Sequence, residues 1–341
     1  VSHETSVPES FGQRPRGESK RLGRRREVEL LDEKPLGPRE AFLSAYERMR
    51  GLAALTRRPA VVAIAVAPDG RVLEATLVED GHALVVGRHP RCGLRLSSPK
   101  VALRQLVVFA RREAGAMISR VWDLDTGVPF VTEDGQRNAA VIADGPLHVT
   151  VHGFGIWLIP AALCAGWGAC GREAWSTLPP RVFVDRRSPG QGRGVIQEGL
   201  ACASSVGTAR SHEEVSHVTG VGPALALGEP DNVEIGWGSL VLTHRGRRMR
   251  HEVSLERLER GVLVGRYERC GLEIKAEPEI SRVHGLLVKI GGEVWAIDAA
   301  STNGLWRADG PVKAAPLRDD DLLRLGRTVT LGWTRRLLPE A

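Results

Sequence analysis

Three short polar clusters in the last third of the chain carry the side chains best suited to chemistry. They are Gly265-Arg266, Ser281-Arg282-Val283-His284 and Ser301-Thr302-Asn303-Gly304. Gly265-Arg266 closes the strand-like run that starts at Gly261, and the third cluster follows an alternating stretch that includes Trp295 and Ile297. A guanidinium, hydroxyls and a carboxamide that both donates and accepts make a donor-rich set. Placed at the ends of β-type runs, they describe a recognition site built from loops.

Signatures of catalysis are missing elsewhere. His212 and His217 bracket a segment that looks like a metalloprotease helix, but histidines five residues apart stand about 140° apart on a helix, whereas a zinc pair needs i and i+4. Gly190, Gly192 and Gly194 lack the preceding strand and following helix of a nucleotide loop, and no Walker lysine accompanies them. No kinase or hydrolase motif is present, so the expectation is a protein that binds rather than catalyses.

The order, spacing and loop placement of the three clusters resemble the forkhead-associated (FHA) domain family over roughly residues 233–337. The resemblance implies a β-sandwich that reads phosphothreonine. Such a ligand carries about 1.5 to 2 negative charges and three strong acceptor oxygens, so its pocket needs a fixed cation and neutral donors. Arg266 supplies the rigid fork and Ser281 a hydroxyl, while Arg282 and Thr302 occupy pocket-lining positions of the family. Asn303 is implied to hold the backbone of the bound peptide. Gly265, His284 and Gly304 are implied to support the loops: Gly265 by permitting close approach, and His284 by bracing them from behind.

The chain also repeats itself. Residues 84–96 read like residues 263–274, with Gly87-Arg88 on Gly265-Arg266 and Cys92 on Cys270. Further on, Val121-Trp122 aligns by identity with Val294-Trp295. In this first copy Ala102-Leu103-Arg104-Gln105 replaces Ser281-Arg282-Val283-His284. The loop from Thr126 to Phe130 reads about two residues shorter than its counterpart and has no asparagine. The expectation is a degenerate copy that keeps the fold and has lost its ligand, serving as scaffold, dimer contact or protein interface.

The fold class expected is therefore all-β: two FHA-type β-sandwiches joined by a long linker, with a short N-terminal helix and a disordered basic tail. The tail covers residues 1–35, the helix 36–58, the degenerate sandwich 59–160, a partly ordered linker 161–232 and the intact sandwich 233–341. Phe42, Tyr46, Met49 and Ala53 fall on one face of the helix, as expected of a surface that docks on a neighbouring domain. In the linker, Trp167, Trp175 and residues 181–184 are apolar enough to lie on the first sandwich.

Composition narrows the classes. An apolar fraction of 42% in 341 residues excludes a wholly disordered chain. Only 6 of the 47 basic residues are lysines, so the net charge of +6 reflects arginine usage more than a nucleic-acid arm. No run reaches the 18 apolar residues of a membrane span and the N-terminus lacks a signal-peptide core, so a cytoplasmic location is expected. Five cysteines without paired spacing argue against a disulfide framework or a zinc site, and no metal or cofactor is expected. The expected partner is a phosphothreonine-containing protein or a Ser/Thr protein kinase. A nucleic-acid regulator using the basic tail and a phosphate-independent scaffold are the alternatives. Glu277 and Glu279, just before Ser281, are expected to face residues C-terminal to the phosphothreonine and to favour basic ones.

Overall fold

Apolar runs that do not alternate build the centre of this protein. Strand Ala60–Val66 is buried at every residue because its two faces enter different layers: Val61, Ala63 and Ala65 join one core, while Val62, Ile64 and Val66 join another. Strand Leu106–Glu113 divides likewise, with Leu106, Val108 and Ala110 turned one way and Val107 and Phe109 the other. Two-sided burial removes the polar partner from an alternating strand.

The computed structural model describes residues 35–124, 126–184, 193–196, 237–275, 277–319 and 321–335. The basic tail, the His212 to His217 segment, Gly190, Gly192 and Cys202 lie outside them.

Among the described residues, four sheets form two β-sandwiches. In the first, one sheet runs in the order Val72–Glu79, Ala60–Val66, Phe154–Pro160, Leu147–Val151, Phe130–Thr132, Arg137–Asn138. Its mate runs Arg193–Ile196, Arg181–Val184, Ala140–Ala143, Ala116–Asp123, Leu106–Glu113, His82–Gly87, Leu94–Arg95. The second sandwich repeats both orders. One sheet is Arg247–Val253, Gly238–His244, Val329–Arg335, Leu322–Leu325, Leu305–Arg307, Gly310–Val312. The other is, among the described residues, Leu272–Glu273, Val262–Gly265, Gly285–Ile290, Glu293–Asp298, Ala314–Leu317, which match the last five strands of its counterpart in reverse order.

Helix Pro38–Leu55 starts with proline in its first turn and buries Ala41, Phe42, Ala45, Tyr46 and Met49 against the outer face of the first sandwich. Trp157 and Trp175 meet Phe42 there at ring-centroid distances of 5.8 and 5.2 Å. The segment after Pro160 is ordered onto the same sandwich as far as Val184: Trp175 is buried, and strand Arg181–Val184 pairs with Ala140–Ala143. Arg181 and Glu133 form a two-bonded ion pair at 2.6 and 2.8 Å, nearly closed to solvent.

The two sandwiches meet face to face. Val107, Phe109, Trp122 and Leu124 of the first merge with Leu286, Val288, Trp295 and Ile297 of the second in one apolar seam. Phe109 and Trp295 lie 5.0 Å apart at 60°, and the Arg111 guanidinium stands 5.0 Å from the Trp295 ring while pairing with Glu293 at 3.0 Å.

Candidate functional site

Three loops of the second sandwich converge at one of its ends: the one after Val262–Gly265, the one before Gly285–Ile290, and the one after Glu293–Asp298. The first two are joined by backbone. Arg266 N–H donates to Ser281 O at 3.1 Å and Tyr267 N–H to Arg282 O at 3.0 Å. This closeness is why position 265 is glycine, since a Cβ there would lie 2.2 Å from the Arg282 carbonyl oxygen. The Cys270 thiol also donates to that oxygen, at 3.3 Å.

The second and third loops are joined by side chains. Ser281 Oγ accepts from Thr302 N–H at 3.0 Å and lies 3.4 Å from Thr302 Oγ1. Asn303 Nδ2 donates to Glu279 O at 2.7 Å, and Trp306 Nε1 to Asn303 O at 2.7 Å. Ser301 Oγ accepts from Gly304 N–H, and Asp298 Oδ1 from Ser301 N–H, so the turn is capped at both ends.

His284 braces both loops. Its Nδ1 accepts from Ser281 N–H at 3.2 Å, which leaves the proton on Nε2 to be donated to Gly304 O at 3.0 Å. The ring is fully buried. Burial pushes its pKa below the usual histidine value, and the bond to Gly304 opposes this in part, so the brace is a neutral imidazole.

The ionic side chains stand outside this frame. Arg266 and Arg282 are exposed, and among the described residues their guanidinium groups meet no hydrogen-bond acceptor. All five pocket residues expected from the sequence, Arg266, Ser281, Arg282, Thr302 and Asn303, thus lie on the three converging loops. Asp298, which positions Ser301, escaped the sequence reading, and Glu279, whose backbone carbonyl holds Asn303, was read there for its side chain alone. Among the described residues no group of His, Cys, Asp or Glu could hold a metal ion.

Glu277 is not the peptide-facing carboxylate expected, and Glu279 is half-exposed with one oxygen engaged. Glu277 is buried, 2.7 Å from His244 Nε2 and 3.4 Å from Arg245, and Glu279 Oε2 accepts from Arg327 N–H at 3.2 Å. Both tie loops to one another.

The first sandwich carries the same loops with different contents. Leu106 faces Asp123 across its hairpin as Gly285 faces Asp298, so the ladder sets Asp123 on Asp298 and Trp122 on Ile297. The identity-based pairing of Trp122 with Trp295 is two residues out, because each strand of the first hairpin is two residues longer before its turn. With that register, the loops from Asp123 to Phe130 and from Asp298 to Leu305 have equal length, correcting the shorter loop expected. Asp123 Oδ2 accepts from Thr126 N–H as Asp298 does from Ser301. Gly127 and Val128 then stand where the second sandwich has Thr302 and Asn303, and Ala102 where it has Ser281. Arg88 is turned into its own loop, donating Nε to Val101 O at 2.8 Å.

The FHA domain family model matches residues 262–326, which include all three loops. The chain is similar to solved FHA structures. The Rv1747 FHA-1 domain of Mycobacterium tuberculosis is 26% identical over 29% of this chain and 98% of its own, with a TM-score of 0.24. The Slr1951 protein of Synechocystis is 23% identical over 29% of this chain and 99% of its own, with a TM-score of 0.26. EmbR of Mycobacterium tuberculosis, solved with a low-affinity phosphopeptide, is 18% identical over 30% of this chain and 26% of its own, with a TM-score of 0.24. A comparison with curated proteins finds no match. The second sandwich is an FHA domain, and the first repeats its strand order.

Proposed function

We propose that the second sandwich binds phosphothreonine-containing proteins and that the chain is a non-catalytic adaptor in Ser/Thr kinase signalling. The observation that carries this reading is the pair of guanidinium groups, Arg266 and Arg282, that meet no acceptor among the described residues, on the same loops as the bonded Ser281 and Thr302 hydroxyls. A phosphate dianion placed there gains two cations and two neutral donors. Asn303 would hold the peptide backbone through the part of its amide not bound to Glu279 O. The partner is a phosphothreonine-containing protein, or the kinase itself. The first sandwich has neither hydroxyl nor amide at the matching positions, and its arginine is engaged, so it is assigned no phosphate.

Calorimetric titration of the full chain with the best binder from a phosphothreonine peptide library, against its unphosphorylated twin, tests the proposal. One phosphate-dependent site per chain is expected. A hydrogen bond to a charged group contributes about 1.5–3 kcal/mol, so Arg266→Ala should weaken binding by roughly ten- to a hundredfold. Arg88→Ala should leave it unchanged. Equal binding by Arg266→Ala and the parent overturns the assignment.

A further inference from the structure

Three consecutive backbone carbonyls in the third binding loop accept hydrogen bonds from arginines of the other sandwich. Arg104 donates Nη2 and Nε to Ala300 O at 2.8 and 3.2 Å. Arg91 donates Nη1 to Ser301 O at 2.8 Å and also to Thr302 O. Both arginines sit on loops of the copy that has lost its own ligand residues, and the loop they grip is the one that carries Thr302 and Asn303.

The grip falls where the backbone needs it. Ala300 has φ +54°, in the left-handed region, where a residue with a Cβ is strained and persists only if its surroundings hold it. Arg104, half-buried, takes the carbonyl of that residue in a two-nitrogen fork. Arg91 is exposed, so its charge adds to those of Arg266 and Arg282 on the solvent side of the loops. Burial lowers the pKa of Arg104; the nearby Cys92 and Asp298 oppose this, and the charges of Arg91 and Arg282 reinforce it, so these guanidinium groups and the Asp298 carboxylate lie within electrostatic reach of one another.

Resting on the phosphothreonine reading above, we propose that the site is shared between the two copies: Arg91 and Arg104 of the degenerate sandwich are positioning residues that hold residues 300–302 in the ligand-ready conformation. Pre-ordering a loop removes part of the entropy that binding would otherwise lose. The copy that no longer binds thereby sets the affinity of the copy that does.

The test uses the full chain and the library-selected phosphothreonine peptide. Arg91→Ala, at an exposed position, should raise Kd about fivefold, a loss of the size of one or two net hydrogen bonds. Its melting temperature should stay near that of the parent while the amide protons of residues 301–304 exchange faster. Arg91→Lys keeps the charge without the planar guanidinium that reaches both carbonyls and should recover only part of the affinity; it also serves as the folded control if Arg91→Ala is poorly behaved. If Arg266→Ala weakens binding by about tenfold or more while Arg91→Ala and Arg91→Lys stay within about twofold of the parent, the two arginines merely cement the seam and this inference falls. If Arg266→Ala has no effect, the phosphothreonine reading falls first.

Discussion

Gln105 does in the first sandwich what His284 does in the second. Its Oε1 accepts from Ala102 N–H at 3.0 Å, as His284 Nδ1 accepts from Ser281 N–H, and its Nε2 donates to Val128 O at 3.1 Å, as His284 Nε2 donates to Gly304 O. A carboxamide presents one acceptor and one donor at nearly the spacing of a neutral imidazole. The bracing that His284 supplies in the second copy is therefore supplied in the first by another residue type.

His284→Gln should consequently keep the second sandwich folded and its phosphopeptide affinity within a few fold of the parent. His284→Ala should cost about 1–3 kcal/mol by orphaning buried partners. The swap should also change the acid response. Burial depresses the His284 pKa, so its contribution to stability is complete above the ordinary histidine value of 6.5 and is lost as pH falls from there through the folded value. Urea unfolding of parent and His284→Gln between pH 7 and 5 checks this; the variant should lose less stability on acidification.

Glu277→Gln should lower stability and leave peptide choice untouched. The carboxylate is held below its usual pKa chiefly by the hydrogen bond from His244, an effect that burial opposes. Its stabilisation is present above the ordinary value of 4.5 and disappears as pH falls through the lowered one. Loss of the charged acceptor should cost about 1–3 kcal/mol. Denaturation measures the first effect, and the library measures the second; a changed preference at the third position after phosphothreonine would return Glu277 to the ligand surface.

Phe109→Ala should weaken the whole molecule although Phe109 lies in neither sandwich core. Its ring is fully buried in the seam beside Trp295, and removing such a ring costs about 3–5 kcal/mol. Urea titration followed by tryptophan fluorescence reads this directly. A loss below about 1 kcal/mol would mean the seam is only loosely joined in solution.

Much of this was legible in the residues because the motifs are local. Arg266, Ser281, Arg282, Thr302 and Asn303 all lie on loops bounded by strands, and a loop anchored at both ends has few places to go. What failed was register. Trp122 and Trp295 share an identity, but pairing across the hairpin decides which residues correspond, and two extra residues per strand shifted the match. The burial of Glu277 was also hidden, since its partners His244 and Arg245 lie about thirty residues away and no local pattern announces them. The seam did leave a trace: Val107-Val108-Phe109-Ala110 and Leu286-Leu287-Val288 lack the polar alternation of a one-sided sheet.

Because the seam lies within a single polypeptide, its halves cannot dilute apart. Covalent linkage sets a local concentration, on the order of millimolar for short tethers and lower for longer ones, whatever the abundance of the protein. Contacts too weak to hold two free molecules together at cellular concentrations can therefore stay closed here. The arginine grip on residues 300–302 is accordingly a fixed property of each molecule, and phosphothreonine affinity should be the same at nanomolar as at micromolar protein, where a site assembled from two separate chains would fade on dilution.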